Sequence, residues 1–290
     1  MKTSIITVLV VVLSILTVQA QGLFGLRQRP VRHSSGTQWY VGATVGANHA
    51  TAIATQSFSE LSLVNASTTD SKDYRTLPMR TGYSAGIATT VAFTPYLQAA
   101  LSTQYKNINY SYQHAYYWGD AENEENQLLY SNDHSLSLGY IEIPLRVRYA
   151  FPISRFKPFV QAGFIYGRLV EANKHLVSHS VDYAAGGSAR SISHQQTDDV
   201  EASYLRSRMA YLVGGGLTYN FGGLMLIAEA SYQPGLHNVT DVRARYTATR
   251  HLAGLGHVPD DITINTLSYS VGFLFPMKFL TDKDFKPVIF

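Results

Sequence analysis

The sequence predicts an all-β protein, an eight-stranded antiparallel transmembrane up-and-down β-barrel with long extracellular loops. Three observations predict it. Apolar and polar residues alternate with period two along about eight stretches. The connections between those stretches are short and long in turn. Charged residues are scarce, at 15%, while aromatics reach 12%, with 20 Tyr among 290 residues. Globular chains carry about 25% charged residues. A surface facing hydrocarbon explains the deficit, because charge there is costly.

The chain opens with an address. Met1-Lys2 precedes an apolar run, Ile5 to Leu16, and Val18-Gln19-Ala20 puts small residues where a signal peptidase reads. The run is shorter than the roughly 20 residues that a spanning helix needs. The expected division is a cleaved signal at 1–20, a periplasmic segment at 21–37, the barrel at 38–275, and a tail or strand extension at 276–290.

Each strand follows the same rule. Trp39, Val41, Ala43, Val45 and Ala47 share one face, and Tyr40, Gly42, Thr44, Gly46 and Asn48 the other. Successive side chains of a strand point to opposite faces, so this strand separates a greasy medium from a wet one. The alternation returns over Tyr83 to Phe93, Leu97 to Tyr105, Ile141 to Tyr149, Val160 to Tyr166, Met209 to Phe221, Leu224 to Tyr232 and Leu267 to Phe275. Globular strands average about 5 or 6 residues, and tilted membrane strands need about 9 to 11; most of these runs fit the second figure.

Thr94-Pro95, residues 152–155 and Gly222-Gly223 read as short turns. Residues 48–80, 113–134, 171–205 and 234–262 read as long loops. Short turns inside and long loops outside are the outer-membrane pattern. Aromatics gather at both ends of the apolar faces, as interfacial girdles do. A soluble β-sandwich is the competing architecture, but it predicts regular short turns and apolar faces opposed across two sheets. In one place the phase breaks. Leu136, Leu138 and Tyr140 are even-numbered, whereas the apolar set from Ile141 onward is odd. A bulge near Gly139–Ile141, or departure of the strand from the membrane, accounts for it.

Three stretches resemble the PorT-like outer-membrane β-barrel family of Bacteroidota: Tyr140-Ile141-Glu142-Ile143-Pro144-Leu145, Lys157-Pro158-Phe159-Val160-Gln161-Ala162-Gly163, and Tyr232-Gln233-Pro234-Gly235-Leu236-His237-Asn238-Val239. The resemblance covers most of the chain after the signal. It implies eight strands and an outer-membrane location. It also implies a structural or accessory part in an envelope machine such as protein secretion. Family members tend to stop at the last strand, whereas here Pro276 to Phe290 continue.

Eight strands enclose only enough room for side chains. By parity Lys106, Glu142, Arg146, Arg148 and Glu229 face inward. Opposite charges in such an interior pair or bear the cost of desolvation, so these five are expected to form a structural ion-pair network. No catalytic residue, cofactor or metal site is assigned, and the protein is expected not to be an enzyme. The absence of Cys excludes disulfides and thiol chemistry. The ten His fall outside the alternating runs, and His175 and His179 are four apart. Ser178, His194, Asp198 and Asp199 share one long segment but carry no nucleophile-elbow motif. A formal charge of +3 is too small to argue for nucleic acid. The expected partners are outer-membrane lipid and, on the resemblance, envelope or secretion proteins. Surface binding through the long loops is the alternative role, and a barrel-embedded lipid-modifying enzyme a third.

Overall fold

The computed structural model describes residues 37–58, 68–74, 77, 80–119, 127–151, 156–182, 190–200, 203–221, 224–243, 245 and 258–277. The expected signal peptide, nearly all of the 21–37 segment and the tail after Met277 lie outside these residues. The described residues form ten strands: β1 (Gln38–Gln56), β2 (Thr68–Asp73), β3 (Thr81–Ala92), β4 (Leu97–Gly119), β5 (Gln127–Ala150), β6 (Phe156–Asp182), β7 (Arg190–Asp199), β8 (Ser207–Asn220), β9 (Met225–Gln233) and β10 (Asp261–Pro276).

Eight of them close a ring of antiparallel pairs in the order β1, β3, β4, β5, β6, β8, β9, β10 and back to β1. Val45 on β1 faces Ala85 on one side and Val271 on the other. Closure leaves no open edge in the wall, which hydrocarbon demands of a β structure. The other two strands stand outside the ring, with β2 paired to β4 and β7 to β6.

The outward side chains form an apolar belt. Val45, Ile87, Leu101, Leu145, Val160, Val213 and Val271 are all exposed. Aromatics border it. Trp39, Phe93, Tyr149, Phe151, Phe221 and Phe275 mark the short-turn end, and Tyr83, Tyr166, Tyr211 and Tyr269 the other. Some pair across strands, as Tyr83 with Tyr105 and Phe156 with Tyr219.

The segments read as long loops are in large part strand. β4 and β5 form one hairpin ladder up to Gly119↔Gln127, and β5 and β6 pair up to Leu128↔Asp182. These three strands therefore continue 12 or 13 residues beyond Lys106, Tyr140 and Val170, about 40 Å of chain. With β2 and β7 they make a sheet that stands clear of the belt.

The phase break has a physical cause. Along β5 every even-numbered position from Asn132 to Ala150 is buried, and Gly139 alone among the odd ones, so the strand does not change phase. What changes is the surrounding medium. Below Tyr140 the outside is apolar and the inside polar; above it Ser135 and Ser137 face out and Leu136 and Leu138 face in. β4 inverts at the same height, from Ser102, Gln104 and Lys106 inside to Ile108, Tyr110 and Tyr112 inside. A bulge is also present, and the extra residue is Val170 on β6, because Tyr140 pairs Leu169 while Gly139 pairs Glu171.

Candidate functional site

Two regions hold the polar chemistry: the barrel interior and the protruding sheet. The interior is layered. At the short-turn end Ala88, Ala150, Phe159, Met225, Ile227 and Leu274 form a buried apolar cluster, with Tyr40 against it. Phe159 fits because the wall beside it is glycine; a Cβ on Gly216 would come within 2.7 Å of the ring. At the other end Ile108, Leu136, Leu138, Tyr140, Leu169 and Ile264 belong to a larger apolar cluster. Between the two lie the charges.

The structure places the five charges singled out by parity in two tiers. In the upper tier Glu142 is fully buried. It lies 3.8 Å from Lys106 Nζ, 2.5 Å from Arg208 Nη1 and 3.2 Å from Gln104 Nε2. Lys106 Nζ also donates to Gln233 Oε1 at 2.5 Å, Ser268 Oγ at 3.0 Å and Thr266 Oγ1 at 3.2 Å. In the lower tier Glu229 accepts from Arg146 Nη1 at 2.5 Å, Arg148 Nη2 at 2.8 Å, Ser270 Oγ at 3.0 Å and Gln161 Nε2 at 3.3 Å. The two carboxylates do not meet, so the five residues form two networks rather than one.

Arg208 is the member that sequence reading missed. It precedes the alternating run from Met209 by one residue, and it shares inward parity with Ala210 and Leu212. Extending that run by one position would have found it.

The protruding sheet is built the other way round, on an apolar and aromatic interior. Tyr74 stacks on Tyr112 at 4.8 Å between ring centres, Tyr112 on His134 at 4.6 Å, and His134 near His114 at 6.2 Å. Tyr110 and Tyr204 share a hydroxyl contact of 2.8 Å. Lys72 Nζ ties the segments together. It donates to the Phe58 carbonyl at 2.7 Å, the Val258 carbonyl at 2.6 Å and Asp260 Oδ1 at 2.7 Å. Tyr74 donates to Asp260 Oδ2 at 2.9 Å. Arg245 pairs with Asp261 and lies over the Phe58 ring.

His114 and His134 are buried inside strands β4 and β5, which corrects the reading of residues 113–134 as a long loop. The even positions of these strands point inward above the belt as they do below it. Burial, together with Lys174, His114 and Lys72 nearby, holds His134 well below the usual imidazole range. Burial and Lys72 bring Lys174 down to about 7. His175 and His179 share the outer side of β6, about 13 Å apart along the strand. Of the Ser–His–Asp candidates, Ser178 sits opposite His194 in the β6–β7 register. Asp198 is opposite Lys174, four residues along β7 and about 13 Å away, too far for a hydrogen-bonded triad. Among the described residues no three His, Asp or Glu converge as metal ligands.

A closed wall, an apolar belt bordered by aromatics and an interior filled by side chains define an outer-membrane β-barrel. The sequence match says which kind: residues 19–241 fit the model of the outer membrane protein beta-barrel domain, and the chain belongs to that family. No curated protein matches it. Among solved structures it is similar to the attachment invasion locus protein Ail of Yersinia pestis, with 11% identity over 81% of this chain and 98% of that one, TM-score 0.31. It is similar to Neisserial surface protein A, with 15% identity over 82% and 97%, TM-score 0.31. It is also similar to OprG of Pseudomonas aeruginosa, with 8% identity over 85% and 99%, TM-score 0.37. The protein resides in the outer membrane.

Proposed function

We propose that this barrel is a non-enzymatic surface-binding protein whose membrane half anchors and whose protruding sheet recognises. One observation carries the reading. β4, β5 and β6 run 12 or 13 residues past the lipid belt as continuous ladder, and among the described residues β2 and β7 each pair on one side only. Paired backbone and a packed apolar interior make that projection rigid, which lowers the ordering cost of binding. A strand at the border of a sheet can extend its ladder to a partner through main-chain donors and acceptors. The interior supports anchoring rather than transport, since eight strands leave room only for side chains and apolar clusters occupy both ends.

The test is to trim the projection. A variant in which residues 110–136 are replaced by a tight turn keeps the barrel wall. In lipid nanodiscs, the full chain should bind components of an array of surface glycans and proteins that the trimmed barrel does not. Equal binding by both overturns the reading.

A second reading, membership of an envelope machine such as protein secretion, is supported by the PorT-like resemblance of Tyr140–Leu145, Lys157–Gly163 and Tyr232–Val239. Those residues lie mainly in the barrel wall, where they serve the anchor. Co-purification of a stoichiometric envelope partner in mild detergent would favour this role. A deletion strain with an unchanged profile of secreted proteins would count against it.

A further inference from the structure

We infer that the lower tier of the barrel interior is a binding site for a small monovalent anion of the halide class, held at the Nε–H of Arg146. Charge inside the barrel does not balance. Between the two apolar clusters the described residues place four cations, Lys106, Arg146, Arg148 and Arg208, against two carboxylates, Glu142 and Glu229. Each tier is one negative charge short. Lipid surrounds this region and apolar side chains close it at both ends, so bulk solvent does not supply the balance. Uncompensated charge in such a place is costly.

The two tiers differ in how they can settle the deficit. In the upper tier the excess charge falls on Lys106, whose Nζ is held by three neutral oxygens, from Gln233, Thr266 and Ser268. The lower tier contains two arginines, which stay charged. It therefore needs a counter-charge from outside the chain.

Hydrogen bonding locates the place. Arg148 uses Nε on Gln161 Oε1 at 3.0 Å and Nη2 on Glu229. Arg146 uses Nη1 on Glu229 and Nη2 on Ser102 Oγ at 2.8 Å, while its buried Nε has no acceptor. Glu229 cannot serve it as well, because its two oxygens already take four donors, about the capacity of a carboxylate. In the upper tier Arg208 Nε also has no acceptor, but Glu142 beside it takes only two hydrogen bonds and keeps room for that donor. In the lower tier, where Glu229 is full, an unmet charge and an unmet donor coincide on Arg146, which is 5% exposed. A halide satisfies both. A water molecule satisfies only the second.

The test uses the full chain refolded into detergent in sodium chloride or in sodium gluconate at equal ionic strength, because a closed interior exchanges slowly once formed. The chloride-refolded protein should melt higher, with a saturable rise of about 3 °C. Arg146→Lys, which keeps the charge and removes Nε, should lose that rise. Crystals grown in bromide should show an anomalous peak within hydrogen-bond distance of Arg146 Nε. The map of the unsubstituted protein decides the matter if the variant fails to fold. Equal melting in both salts with no interior peak assigns the position to water and overturns the inference. Peaks confined to the outer surface, an adventitious ion only, overturn it too.

Discussion

The lower and upper halves of β5 are one continuous strand with opposite chemistry. From Ile141 to Tyr149 the outward positions are Ile, Ile, Leu, Val and Tyr, and the inward ones Glu, Pro, Arg and Arg. From Ser131 to Gly139 the outward positions are Ser, Asp, Ser, Ser and Gly, and the inward ones Asn, His, Leu and Leu. β4 makes the same exchange next to Lys106. In lipid the outside is the greasy side and polar groups retreat inward to pair; in water the hydrophobic effect reverses the assignment. The inversion point is a ruler, and it puts the outer surface of the membrane level with Tyr140.

This contrast can be broken at four points, taken from the largest effect to the smallest. Glu142→Gln leaves Lys106 and Arg208 facing each other without a carboxylate, a loss of about 3–5 kcal/mol by the measure of broken buried pairs. Thermal unfolding in detergent should show a large drop, with export and assembly intact; unchanged melting would remove the upper tier from the account. Leu138→Ala in the upper core should cost about 2–5 kcal/mol, whereas Leu145→Ala on the lipid face should cost far less in a bilayer. Chemical denaturation from vesicles compares the two. Leu145→Arg should cost about 2–4 kcal/mol near mid-membrane, while Ser131→Arg, outward but above the belt, should fall within about 0.5 kcal/mol of the parent. Similar costs would mean that both positions meet the same medium.

The fourth point is acidity. His134 and Lys174 both titrate lower in the folded protein than in the unfolded chain. The unfolded chain therefore takes up protons first as pH falls. For Lys174 stability is lost on descending from the ordinary lysine value toward about 7, and for His134 below the ordinary imidazole value. The protruding sheet should be more stable at pH 8.5 than at pH 5.5. Melting midpoints across that range, compared with those of a Lys174→Met variant, measure the effect.

The barrel wall was legible because lipid imposes a strict alternation that no turn or loop imitates. Glu142 and Glu229 were legible by parity, since a charge on the inner side of such a strand must find a partner. The upper strands were not. Their inside-apolar pattern continues the same parity with reversed polarity, and against the lower pattern it looks like a slip or a loop. β2 (Thr-Thr-Asp-Ser-Lys-Asp) and β7 (Arg-Ser-Ile-Ser-His-Gln-Gln-Thr-Asp-Asp) are too polar for any strand pattern. They form because β4 and β6 offer them a ladder, which is a tertiary cause. The pairing of Lys72 and Asp260 joins residues 188 apart, and no local signal reports it.

The central claim is that the strands pass from lipid to water at Tyr140. The chain has no Cys, so single cysteines can be placed at the odd positions from 131 to 149 and spin-labelled in a bilayer. Labels at 131 to 137 should relax with a water-soluble paramagnet and labels at 143 to 149 with oxygen dissolved in the lipid, the exchange falling between 139 and 141. Water-type relaxation at 143, 145 and 147, or lipid-type relaxation at 133 and 135, would contradict it.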